Sequence, residues 1–381
     1  MSAATSTVTP VSAPARFTTT DSPFKKELQQ TIDGYFETHS RHATTALWIK
    51  AAVWLGSTFA ALAVLVLVPM PAWLGVILSL SAGFGIAQVG FNVGHDAIHG
   101  SLSSKSWVNA LFARSFDVMG ASSRMWNWAH NVVHHTYTNV PGTDHDLEPG
   151  FYLHFYRHQR RGYLHRFQHI YAWVLYTLTM VVWVFKKDFV QLVERGPATT
   201  RRDVIDVIAG KVLHFALWLG VPMLFSPWAW WQVLIGYALM LAVTGFSAAV
   251  VFQMAHVVEG PAFPTPHDGR FDDDFVTHQL KTTANFAPGS AVATFFTGGL
   301  NHQVEHHLFP RICHIHYPAI APLVEAVAKK HGVPYHANPT FLGAVASHVR
   351  LLKALGRGEQ ESGAPGAGLK GGQLAPQPVT G

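Results

Sequence analysis

Four long apolar runs, at residues 51–68, 72–91, 211–225 and 228–255, contain no acidic residue and no arginine, and Lys211 at the edge of the third is their one lysine. A run of about 18–20 such residues matches the thickness of a hydrocarbon layer, and a helix is the economical way to carry its backbone through. These runs therefore predict an integral membrane protein with four spans. Each pair is split by a short proline-bearing turn, Pro69-Met70-Pro71 in one case and Ser226-Pro227 in the other, which predicts two helical hairpins. The balance of 49% hydrophobic to 13% charged residues argues against two or three soluble domains of the same total length.

A fifth apolar run, 170–185, lies within a helix predicted over about 168–185; it is short and rich in Trp and Tyr. The loop before it carries Lys105, Arg114, Arg124, Arg157, Arg160, Arg161 and Arg166, and the next carries Lys186, Lys187, Arg195, Arg201, Arg202 and Lys211. Basic loops stay in the cytoplasm, so a full crossing by the fifth run would put two basic loops on opposite faces. The segment is expected to lie at the interface or dip into it, leaving both termini and all histidine clusters on the cytoplasmic side. Residues 1–22 and 356–381 read as disordered tails, with 23–355 as the membrane domain between them. No basic-aromatic module for nucleic acid is evident.

Histidine is the compositional outlier, with 24 copies against a single cysteine. One cysteine rules out thiolate-rich zinc or iron–sulfur sites, so a metal here would take imidazole or oxygen ligands. His95 and His99 follow the second apolar run at helical i, i+4 spacing, a pair that by itself equally suits a polar helix face. In "WNWAHNVVHHTYTN", His130 and His134 share a helix face and His135 lies about 100° around, so one short helix could serve two metals. "GGLNHQVEHHLFP", residues 298–310, offers His302, Gln303, His306 and His307, and His256 closes the last span. So many imidazoles exceed the needs of one metal. A dinuclear centre of iron, zinc or copper is the economical reading, and iron that activates O2 suits histidine-rich ligation beside a membrane.

At these residues the sequence resembles the membrane fatty acid desaturases, over about residues 44–348. Three histidine boxes occur in order, His95-x-x-x-His99, His130-x-x-x-His134-His135 and Gln303-x-x-His306-His307. The glutamine in the last, with "HTYTN" and "NHQVEHHLFP", resembles front-end desaturases, which act between an existing double bond and the carboxyl end. The resemblance implies an all-α membrane fold with a cytosolic helical cap, and two non-haem irons held by His95, His99, His130, His134, His135, His256, Gln303, His306 and His307. It also implies a long-chain acyl substrate, on CoA or lipid-linked, that receives a cis double bond at the expense of O2. His302 departs from front-end relatives, where an aromatic is common, and is a candidate substitute ligand. Phe252 stands where the stearoyl-type branch has an asparagine that holds a metal-bound water, and Gln253 is the nearest amide. No His-Pro-Gly-Gly haem motif occurs, so the resemblance implies an external donor of the ferredoxin or cytochrome b5 type, docked on the basic face.

An unactivated methylene has no accessible pKa, so acid/base residues alone cannot remove its hydrogens; activated O2 must. Asp96, Asp144, Asp146 and Glu305 are candidates to accept the second ring N–H of a ligand histidine. His154, His158, His165 and His169 fall at spacings that imitate one helical face, but Gly162 and the Arg160-Arg161 pair interrupt it, and headgroup-facing histidines are expected there. Packing or interfacial roles are expected for His314 and His316. Two rivals use the same ligands: a di-iron hydroxylase or ketolase acting on a lipid, and a histidine-rich metal transporter. The second should carry mid-span ionisable residues, yet the four spans hold few, His214 near one end being the main exception.

Overall fold

The computed structural model describes residues 15–19, 22–147, 150–157 and 159–359. The chain is mostly helical, and four helices are long and apolar enough to cross a membrane: Thr45–Leu67, Ala72–Ile98, Arg201–Phe225 and Trp230–His256. The first two pack along each other, and the second packs along the fourth. Small residues permit that approach. A Cβ on Gly83 would stand 2.4 Å from the Met240 carbonyl oxygen, and Thr244 closes the contact by donating to Gly83 O at 2.9 Å.

The predicted boundaries shift where polar residues join a span. The second helix runs on past Phe91 through a π-helical stretch, Gly90–Gly94, and ends in His95–Ile98. The third begins ten residues before Lys211 because Thr200 and Asp203 form a reciprocal cap: Thr200 N–H donates to Asp203 Oδ2 at 2.7 Å. Lys211 is consequently not a loop residue. It is buried, with Nζ 2.6 Å from Asp188 Oδ2 and 2.6 Å from Gly120 O.

The fifth apolar run is not one helix. Tyr163–Thr177 and Thr179–Glu194 meet at an angle of 58°, with the bend against Gly245 of the fourth span. Among the described residues the departure from an all-helical fold is one short parallel pair, Ala284–Phe286 with His336–Asn338. Residues 15–19, assigned by composition to the amino-terminal tail, lie on the protein: Phe17 stacks on Phe271 at 4.7 Å, and Arg16 N–H donates to Gly269 O at 2.9 Å. Ser22 caps the helix Pro23–Phe36 through its hydroxyl. Residues 1–14, 20–21 and 360–381 of the expected tails lie outside the described residues, and the expected start of the carboxy-terminal tail at 356 is corrected, because the last helix, Phe341–Arg357, runs past it to a cap at Gly358.

Candidate metal centre

Four segments converge on one buried cluster. His95 ends the second span and His99 follows one turn later; His130, His134 and His135 come from the stretch around Asn127–His134; His256 is the last residue of the fourth span; His306 and His307 sit on Gln303–Leu308. Nitrogens of His95, His99, His130 and His306 lie within 4.8 Å of one another, as do those of His134, His256 and His307. His135 joins the two sets, its ring centroid 4.6 Å from that of His306 and 4.3 Å from that of His307.

Local backbone explains how three histidines in six residues all reach inward. Asn127–His134 is a π-helix, and His135 N–H donates to His130 O at 2.9 Å, five residues back. The wider turn places His135 Nε2 3.2 Å from His130 Nε2, whereas five α-helical steps would have turned His135 about 140° away from it. The last box is brought in by Gly298 and Gly299, at φ 61° and 73°. A Cβ on Gly298 would lie 2.4 Å from Phe91 O, inside the π-turn that precedes His95.

The donor set suits metal. Nε2 of His99, His134, His306 and His307, Nδ1 of His130 and His135, and both nitrogens of His256 are buried with no hydrogen-bond partner among the described residues. Buried polar atoms are ordinarily satisfied, and bound cations would account for so many orphans in one cluster. Burial holds His99, His130, His135, His306 and His307 well below the ordinary imidazole range, as neutral ligands must be. Burial also opposes protonation of His134, but the Asp144 carboxylate overrides it and lifts that ring.

The second ring nitrogens have specific partners. His134 Nδ1 lies 2.9 Å from Asp144 Oδ2, as expected of Asp144. Asp146 lies close to His130 and His134 and is itself held by Lys187 Nζ at 2.5 Å. Three partners carried no sequence signal. His307 Nδ1 lies 2.9 Å from Gln279 Oε1 and 3.1 Å from Thr138 Oγ1, and His306 Nδ1 lies 3.3 Å from Tyr317 Oη. Trp126, also unexpected, stacks on His130 with centroids 4.1 Å apart. Replacing Asp144 by Asn should weaken metal binding about 10–100-fold, read by titrating metal into the stripped protein.

Other expectations are corrected. Asp96 turns away from the cluster: its Oδ2 accepts from His314 Nδ1 at 2.7 Å and from Cys313 Sγ at 3.0 Å, which gives His314 a buried polar role. Glu305 accepts from Asn285 Nδ2 and Tyr335 Oη, both at 2.8 Å, and burial pushes its carboxyl up to about 7. His302 is not brought into either histidine group; it is buried, 3.5 Å from Thr294 Oγ1 and 3.8 Å from Glu305 Oε2. Gln303 is buried beside His256. Phe252 packs on His134 and His256 at 5.0 and 4.8 Å, while Gln253 Oε1 is buried without a partner among the described residues. His154 and His165 do not face headgroups: their Nε2 atoms meet Gln159 O and Phe151 O, each at 2.8 Å. His158 lies outside the described residues.

A buried polyhistidine centre at the end of long apolar helices is the build of a membrane-bound metalloenzyme. A model of the fatty acid desaturase family matches residues 71–339. Similar proteins include the sn-1 linoleoyl-lipid 6-desaturases of Arthrospira platensis, 34% identical over 87% of this chain and 92% of that protein, and of Synechocystis sp., 33% identical over 88% and 96%. The acyl-lipid (8-3)-desaturase of Physcomitrium patens is 33% identical over 86% of this chain and 71% of its own. The chain belongs to the fatty acid desaturase family and is of its front-end type. It is an oxidoreductase that introduces a double bond into a fatty acyl chain with the use of O2.

Proposed function

We propose that this enzyme places a cis double bond between an existing one and the carboxyl end of a lipid-linked acyl chain, at a centre of two irons. The observation that carries the reading is the two imidazole groups, linked through the His135–His306–His307 set, with their orphaned buried nitrogens. His95, His99, His130 and His306 would hold one ion; His134, His256 and His307, with Gln303 beside them, the other; His135 stands between. The lipid linkage is supported by the names of the similar proteins, acyl-lipid and linoleoyl-lipid desaturases.

The balance is simple: two neighbouring methylenes lose two hydrogens, and O2 takes these with two electrons and two protons to leave as two waters. Bound iron would supply the activation of O2 that no side chain can. The chain's own residues do the rest. Asp144, Gln279 and Tyr317 fix which ring nitrogen of His134, His307 and His306 faces inward. Trp126 and Phe252 wall the cluster with apolar surface that excludes water.

Residues 23–355 then form one unit with four spans in two hairpins, both ends of the chain and the helical cap on the cytoplasmic side. The basic loops support that orientation. The bent helix pair supports it too, because both arms return toward the histidine end: Tyr176 Oη meets His348 Nε2 at 2.7 Å, and that ring's Nδ1 meets Val257 O beside His256, while Lys187 on the other arm meets Asp146. Electrons would come from a ferredoxin or cytochrome b5 docked on the basic face.

Expression in a host supplied with defined fatty acids, followed by mass spectrometric location of new double bonds, tests the reading. The expected product has its new bond on the carboxyl side of an existing one. A hydroxyl or keto product, or zinc alone in active protein, overturns it.

A further inference from the structure

We propose that Asn139 is a positioning residue that holds the His134–His256–His307 group together, an inference that rests on the two-metal reading above. Asn139 is fully buried and adopts φ 58°, the left-handed region that asparagine tolerates better than most residues. That turn directs its two donors to different parts of the group. Its backbone N–H donates to Asp144 Oδ2 at 3.0 Å, the same oxygen that lies 2.9 Å from His134 Nδ1. Its side-chain Nδ2 donates to His256 O at 3.1 Å and to Ala262 O at 3.2 Å.

The second contact meets a need. His256 ends the fourth span, where the last carbonyls have no partner within their own helix. One residue therefore satisfies the carbonyl of one ligand histidine while fixing the carboxylate that orients another. Asn139 makes no such bond to His95, His99 or His306, so its loss should act on one metal position and spare the other.

Two variants separate the hydrogen bonds from the backbone turn. Asn139→Gly keeps the left-handed conformation and removes the amide. Asn139→Asp keeps size and turn but sets carboxylate oxygen against two carbonyls. The purified full chain is analysed for iron per chain, and the metal-stripped protein is titrated with Co(II). Wild type is expected to hold two ions. In both variants one ion should bind at least about 10-fold more weakly while the other keeps its affinity; the melting temperature of the stripped protein falls as well, because two buried carbonyls lose their donor, so the discriminating readout is which ion is weakened. Two ions bound with unchanged affinity overturn the proposal. So does equal weakening of both ions, which would make Asn139 a general fold contact. A wild-type protein that holds fewer than two ions defeats the two-metal reading itself, and the Asn139 proposal with it.

Discussion

Replacing His306 by Ala is expected to abolish double-bond formation. His306 belongs to two imidazole groups at once, one with His95, His99 and His130 and one with His135 and His307. Its Nε2 is buried without a protein partner, and Tyr317 backs the other nitrogen. Alanine removes an inward donor from both groups and leaves a void that no neighbour fills. Loss of a partner behind a ligand already costs about 10–100-fold in metal affinity or activity, so loss of a shared ligand should exceed about 100-fold. Product analysis in the expressing host and iron content of the purified chain measure it. His145→Ala is the control: that ring is about a third exposed and pairs with Glu194, so activity should be nearly unchanged. Full activity of the His306 variant would remove it from the centre.

Gly298→Ala is expected to be strongly destabilising. At φ 61° an added Cβ is strained whatever surrounds it, and here it would stand 2.4 Å from Phe91 O and 2.6 Å from its carbonyl carbon. Neither atom can yield without disturbing the π-turn that carries His95. Strain and overlap together should cost about 3 kcal/mol or more, seen as a lower melting temperature in detergent and poor accumulation. Gly142→Ala isolates the backbone contribution. It has φ 74° but nothing within 4 Å of the added carbon, so a cost of only about 1–2 kcal/mol is expected.

Signals that lie within one stretch of chain were legible in the sequence; those that depend on distant stretches were not. The four apolar helices and the ligand candidates His95 to His307 follow from local runs and spacings, and the structure brings eight of those imidazoles together. Asp144 was legible because it follows His134 closely. Gln279 and Tyr317 were not, since a glutamine and a tyrosine in ordinary short helices carry no mark of facing a histidine from another segment. Asp96 and Glu305 misled for the complementary reason. Each is a sequence neighbour of a ligand, yet on a helix adjacent residues point about 100° apart, and both carboxylates turn to partners elsewhere. The π-helix at Asn127–His134 had no sequence signature, and it changes which histidines align. His302 was the residue the boxes could not absorb, and the fold sets it against Thr294 and Glu305.

The ligands of one centre are dealt out along most of the chain, and this has a consequence for how the enzyme is made. His95 emerges first, and His306 and His307 follow only after all four long helices have been made. At ~5–20 residues per second that interval is on the order of 10–40 s, during which the early histidines have been delivered without the residues that close their pocket. Neither group is complete until Gln303–Leu308 has docked. On the two-metal reading, metal capture is therefore a late event in biogenesis, and the long helices must pair before an ion could clasp the early histidines to the late ones.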